Sequence, residues 1–195
     1  MKHKTFVISL KRRPDRRSKI KDLFDRNGID FSFCDGIDGR ELEITEEVHN
    51  LFKGNDFDDF GIIKECIYGA NLTHLKILKE CSEQDLPFFI FEDDTQILKP
   101  LDFSFDDISK KSLDAFWLTR NEPSILAYVV WPEGARKMYD WVINVSKLDK
   151  GLDWKFLELR RSGIFKIEEI WDDYFYQVPG EDSDIAPNGY NRIYK

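Results

Sequence analysis

The segment Leu86-Pro87-Phe88-Phe89-Ile90-Phe91 constrains this chain most, because it is an unbroken apolar run of strand length that ends abruptly in Glu92-Asp93-Asp94. Apolar residues at every position, rather than at alternate ones, suit a central strand covered on both faces. Adjacent carboxylates at the edge of a low-dielectric core repel each other and lose hydration unless something cationic meets them. A hard divalent cation such as Mg2+ or Mn2+ fits that need, since it takes carboxylate and water oxygens and shares its remaining positions with substrate phosphates. Acids at the carboxyl end of a central strand therefore suit a nucleotide-diphosphate site. The same tripeptide is equally suited to capping a helix that follows it, and its own sequence does not separate the two readings.

The elements around this strand alternate. Thr5–Leu10 is a short β-rich run, Pro14 opens a helix with Ile20, Leu23 and Phe24 on one stripe, and Asn27-Gly28 stops it. Ile29–Phe33 alternates with period two and runs into the turn-rich Asp35-Gly36-Ile37-Asp38-Gly39, completing a β-α-β unit. Residues 41–61 are acidic and weakly patterned, which predicts a short helix and a loop. From Ile62 to Cys81, the spacing of Ile67, Ala70, Asn71, His74, Leu75 and Leu78 predicts a helix with a buried face. Strands are expected over Ala115–Thr119, Ala127–Trp131 and Ile164–Ile170, helices over Pro132–Trp141 and Leu152–Arg160, and a loop from Trp171 onward. Such alternation predicts an α/β fold, and 195 residues fit one domain over positions 1–195.

Composition removes several classes. Hydrophobic residues at 42% and charged residues at 34% belong to a packed globular chain. No apolar run approaches the roughly 20 residues of a membrane helix, and Met1-Lys2-His3-Lys4 leads straight into the first strand without a signal-peptide region, so a cytoplasmic protein is expected. Cys34, Cys66 and Cys81 are odd in number and form no C-x-x-C pair, which predicts reduced thiols and neither a disulfide framework nor a zinc site. The net charge of −8 conceals ten Lys or Arg against three Asp between Met1 and Asn27. A small basic patch on an acidic chain suits a nucleotide better than a nucleic acid, whose binding rests on broad positive surface.

Four motifs occur in order: Phe6-Val7-Ile8-Ser9-Leu10-Lys11-Arg12-Arg13-Pro14-Asp15-Arg16-Arg17, Gly69-Ala70-Asn71-Leu72-Thr73-His74, Phe91-Glu92-Asp93-Asp94, and Ala127-Tyr128-Val129-Val130 with Gly134-Ala135-Arg136-Lys137. Together they resemble glycosyltransferase family 25, which includes bacterial lipooligosaccharide galactosyltransferases and procollagen galactosyltransferases, and the resemblance runs from about Phe6 to Asp184. It implies a single-domain GT-A type (Rossmann-like) fold, a UDP-sugar donor carrying galactose or glucose, Mn2+ (or Mg2+), inversion at the anomeric carbon, and a saccharide or hydroxylated protein acceptor, as in lipopolysaccharide biosynthesis. The end of the first strand, Ser9 and Leu10, would then sit beside the nucleotide, with Arg12, Arg13 and Arg16 on phosphate or ribose. Asp15 would orient Arg16 or cap the helix. Asp35 and Gly36 would lie against the uridine, although turn chemistry alone accounts for them equally well.

Metal binding falls by the same resemblance to Asp94, with Glu92 or Asp93 contributing through water or by orienting it. Asp153, in Gly151-Leu152-Asp153-Trp154, is the expected base, ahead of Asp172, and it is also a good helix-capping residue. His74 falls on the apolar stripe and is expected as a hydrogen-bonded core histidine neighbouring the site. Glu181, Asp182, Ser183 and Asp184 match a C-terminal segment that would close over the diphosphate. The chain departs from the family at Ser124-Ile125-Leu126, where a small-residue pair is common, and at Trp131, where Ser is frequent. Both departures are expected to border the acceptor or sugar pocket. Two competing functions remain at this stage, a transferase for hydroxylated DNA bases and a non-catalytic module that keeps a structural ion.

Overall fold

The computed structural model describes residues 3–54, 64–119, 125–170 and 172–177. In chain order the strands are β1 (Lys4–Ser9), β2 (Ser32–Asp35), β3 (Phe88–Glu92), β4 (Thr95–Ile97), β5 (Ala115–Trp117), β6 (Ala127–Val130), β7 (Ile167–Glu169) and β8 (Phe175–Gln177). The helices are α1 (Pro14–Arg26), α2 (Glu46–Leu51), α3 (Lys64–Ser82), α4 (Phe105–Ser109), α5 (Pro132–Trp141) and α6 (Leu152–Ser162). Six strands form one mixed sheet in the order β2-β1-β3-β6-β5-β7, and β4 pairs with β8 in a separate ribbon. The pairs β1–β2, β1–β3 and β5–β7 are parallel, while β6 is antiparallel to both β3 and β5.

Strand β3 is covered on both sides, as its uninterrupted apolar sequence requires. Its alternating side chains divide between two apolar layers: Phe88 and Ile90 pack with Leu75, Leu78, Met138 and Phe156 of α3, α5 and α6. Phe89 and Phe91 pack instead with Ile20 and Phe24 of α1, Ile108 of α4 and Phe175 of β8. The rings of Phe24 and Phe91 meet edge to face with centroids 5.1 Å apart, a geometry that aromatic pairs favour. These four phenylalanine and isoleucine residues of β3 are fully buried, and each contributes about 1.5–3 kcal/mol through removal of apolar surface from water.

Helix α1 begins at Pro14 and ends at Arg26, followed by Gly28 at φ +66°, a conformation in which a Cβ would be strained. The second strand starts three residues later than the alternation of Ile29–Phe33 predicts. The Ile29 N–H donates to the Phe24 carbonyl, so Ile29 closes the helix terminus and the ladder begins only at Ser32. Residues 41–54 hold the short helix α2, opened by a Thr45 side-chain cap on the Val48 N–H, and the rest of the acidic stretch through Ile63 lies outside the described residues.

Two further departures concern the ends of the sheet. The chain forms strand β4 immediately after Asp94, so the acidic residues occupy a corner between two strands and cap no helix. The partner of β4 is β8, within the segment expected to be only loop. Strand β6 runs opposite to β3, pairing Ala127 with Phe91 and Val130 with Phe88. Trp131 therefore sits at the far end of the sheet from Glu92, beside an open groove of about 770 Å3 lined by Leu86, Pro87, Leu113 and Arg136. That placement separates Trp131, expected to border the acceptor or sugar pocket, from the acidic corner. Leu126, by contrast, lies at the acidic end, accepting from the Glu92 N–H at 2.8 Å.

Candidate active site

Parallel pairing assembles one edge from distant sequence. The register sets Ser9 beside Asp35 and Ile8 beside Glu92, so the carboxyl ends of β2, β1 and β3 emerge together with the Arg-rich turn that follows β1. Asp93 is held on both oxygens: Ser9 Oγ donates to Oδ2 at 2.6 Å and Arg16 Nη1 to Oδ1 at 2.8 Å. Burial raises the Asp93 pKa, and the Ser9 and Arg16 contacts only partly reverse it.

Asp94 is in a different state. Gln177 Nε2 donates to its Oδ2 at 2.6 Å, but Oδ1 is buried with no hydrogen-bond partner among the described residues. Burial first, then the charges of Glu92 and Asp93, push its pKa up to about 7. Glu92 takes its one side-chain contact among the described residues from the buried His74, whose Nε2 lies 3.3 Å from Oε1.

Every cation of the turn faces an aspartate. Lys11 Nζ lies 3.1 Å from Asp35, Arg12 pairs with Asp38, and Arg13 grips Asp15 through two bonds of 3.0 and 2.8 Å. Arg17 donates from Nη2 to the Ser9 carbonyl and to Asp35 Oδ1, each at 2.7 Å, and its guanidinium lies 4.9 Å from the Phe33 ring centroid. The Arg13 contact holds the Asp15 carboxyl well below its usual range, and Arg17 and then Lys11 lower the Asp35 pKa. Asp15 thus pairs with Arg13, and the first turn of α1 already carries this carboxylate. Gly36 donates its N–H to the Ser9 carbonyl, and a Cβ there would fall 3.2 Å from the Leu10 side chain. Leu10 and Gly36 are therefore packed against each other at this edge.

Asp153 lies in the first turn of α6. The preceding Leu152 N–H donates to Asn71 Oδ1 at 2.6 Å, which ties the helix start to α3. A Cβ at Gly151 would come within 2.5 Å of Asp153 Oδ1, so glycine there leaves room for the carboxylate. Asp172 is exposed and pairs with Lys99 at 3.3 Å. Glu181, Asp182, Ser183 and Asp184 lie outside the described residues. Arg17, Asp38 and Gln177 join the site without having been singled out. Arg17 was open to inference, since Arg13, Arg16 and Arg17 share one face of α1 at i, i+3 and i+4. Gln177 gave no such signal, because nothing in its sequence marks β8 as the partner of β4.

The described residues contain no ready group of at least three His, Cys, Asp or Glu that would cage a metal. They do suit a cation held by few protein ligands: an orphaned buried Asp94 oxygen adjoins Glu92, while Asp93 is committed to Arg16 and Ser9. Mg2+ and its like are commonly bound by one or two carboxylates, with water and substrate phosphates completing the shell.

The family model for glycosyltransferase family 25, described as an LPS biosynthesis protein, matches residues 2–122. The chain belongs to glycosyltransferase family 25. That match spans β1 to β5 and so includes the arginine turn and the acidic corner, but not Asp153. A glycosyltransferase 25 family member from Drosophila melanogaster is 51% identical over 37 residues, covering 19% of this chain and 6% of the relative. The lacto-N-neotetraose biosynthesis glycosyltransferase LgtB of Neisseria meningitidis serogroup B is 32% identical over 91 residues, covering 45% of this chain and 31% of the relative. The chain thus spans under a third of the length of either relative where they match. The crystal structure of a Drosophila beta-1,4-galactosyltransferase 7 mutant in complex with manganese, UDP-Gal and xylobiose superposes on 97% of this chain and 77% of its own, with TM-score 0.50 and 12% identity. The fold is of the GT-A type, a mixed central sheet between helices. No helix among the described residues is long and apolar enough to cross a membrane.

Proposed function

We propose that this family 25 chain transfers a hexose from a UDP-sugar to a hydroxyl of a saccharide or a hydroxylated protein side chain, with inversion and with help from a divalent cation. The observation that carries the reading is Asp94, whose buried Oδ1 has no hydrogen-bond partner among the described residues, in a corner with Glu92 and Asp93 at the end of β3. Membership of family 25, and the UDP-Gal and manganese of the galactosyltransferase complex that shares the fold, support the class of donor.

In this reading Asp94, assisted by Glu92, would hold the ion, which when bound would supply positive charge against the UDP diphosphate. Asp93 keeps Arg16 aimed at the same corner through its 2.8 Å contact, giving the diphosphate a fixed guanidinium. Ser9, Leu10, Asp35 and Gly36 form the wall on which the nucleoside would rest, with Arg12 and Arg13 at its rim. The acceptor hydroxyl attacks the anomeric carbon as the bond to the diphosphate oxygen breaks, its proton passes to Asp153, and UDP leaves. A second displacement is not needed, so an α-linked donor yields a β-glycoside. The expected result is UDP release from UDP-galactose or UDP-glucose that requires Mn2+ or Mg2+ and stops with EDTA, with a β-anomeric product by NMR. Release unaffected by EDTA would remove the cation, and an α product would remove the single displacement.

A further inference from the structure

Helix α3 carries a cluster of buried polar side chains that no ordinary packing helix needs. Gly69 and Thr73 share one face of it. Thr73 Oγ1 accepts from the Ile37 N–H at 2.8 Å and donates to the Gly69 carbonyl at 2.7 Å. A Cβ at Gly69 would strike the Ile37 carbonyl at 2.4 Å. This face holds the turn that follows Asp35. Asn71, only 5% exposed, accepts from the Leu152 N–H at 2.6 Å while its own amide donates to the Ile67 carbonyl at 2.8 Å. His74, with no exposed surface, touches Tyr128 Oη with Nδ1 at 3.0 Å and Glu92 Oε1 with Nε2 at 3.3 Å. Burying so many directional groups costs desolvation at each, and an apolar helix face would avoid that cost. What the polar set adds is geometry: Asn71 and His74 stand three residues apart, about 4.5 Å along the axis, and fix the start of α6 and the end of β3 to one rigid rod.

We propose that Asn71 and His74 are positioning residues that set the separation between the acidic corner at Glu92 and the carboxylate of Asp153. The Glu92 carboxylate accepts, so His74 donates from Nε2, and its Nδ1 faces the Tyr128 hydroxyl. The Tyr128–His74–Glu92 chain thereby locks the Glu92 carboxylate, and Asn71 locks the helix turn that presents Asp153. Loss of either lock leaves the groups present but misplaced, which affects reaction more than donor binding.

This inference rests on the function proposed above, and two measurements separate their failures. On the protein without donor, 15N NMR of the His74 ring is expected to show a proton on Nε2; an Nε2 that carries no proton overturns the relay whether or not the protein transfers sugar. In UDP release from UDP-galactose with Mn2+, His74→Phe and Asn71→Ala are each expected to lower kcat about 10- to 100-fold, the range typical of groups that orient a contacting residue, with KM for UDP-galactose within about threefold. Tyr128→Phe, which removes one oxygen and leaves the core volume, is expected to move kcat the same way by less. His74→Gln is expected to recover part of the loss, since its amide retains an N–H for Glu92. Variants that melt earlier yet keep the parent kcat would show a purely structural role and overturn the proposal. A parent protein that releases no UDP would instead refute the function, leaving the ring measurement to judge the relay.

Discussion

Asp94 combines a buried oxygen that has no hydrogen-bond partner among the described residues with two acidic neighbours, and its electrostatics give a testable pH dependence. Because its pKa is raised in the fold to about 7, the folded chain binds more protons than the unfolded chain between the usual carboxylate range and neutrality. Stability without metal must then fall as pH rises through that window. Denaturant titrations in EDTA at pH 5 and pH 8 are expected to show the lower stability at pH 8, and Asp94→Asn is expected to flatten the difference. For Asp153→Asn, the expectation is a kcat lower by about 10²- to 10⁴-fold with donor affinity nearly unchanged, as for removal of a general base; equal losses in both would make Asp153 structural. At this scale the sequence exposed the acids and arginines but not their pairing. Arg13 with Asp15 and Arg16 with Asp93 look interchangeable along the chain, and only the register of β1 against β3 selects Asp93 as the partner of Arg16.

Among the elements, those fixed by local chemistry were readable from sequence. Pro14 and Gly28 bounded α1, Pro132 opened α5, and the apolar run before Glu92 specified a strand buried on both faces. The ones decided by distant partners were not. Strands β4 and β8 have three residues each and exist because they meet, a pairing that no local pattern encodes. The close crossing of α3 over the turn after β2 was equally hidden, although its requirement is local: Gly39 and Gly69 leave no room for a Cβ, with backbone atoms of Glu65 and Ile37 at 2.1 and 2.4 Å from the added carbon. Gly69→Ala is accordingly expected to destabilise the fold by about 1–3 kcal/mol, in line with overpacking at a tight contact, measured by the denaturant midpoint. Truncation in the core is expected to cost more, about 3–5 kcal/mol for Phe89→Ala, because the ring is fully buried and stacks on Phe105 at 4.4 Å.

The molecule as a whole joins a family sequence to a sheet edge on which a basic turn and an acidic corner face each other. The lysine and arginines of the turn each meet an aspartate there, while a buried Asp94 oxygen has no hydrogen-bond partner among the described residues. In the proposed function this oxygen is where a cation and a UDP-sugar bind together. The most direct measurement is calorimetric titration of UDP-galactose, UDP-glucose and UDP into the purified protein, in Mn2+ and in EDTA, repeated with Asp94→Asn. Binding of a UDP-sugar in Mn2+ is expected, and it is expected to weaken at least tenfold in EDTA and in Asp94→Asn alike. Equal binding with and without metal, or an Asp94→Asn variant that binds as the parent does, would contradict it.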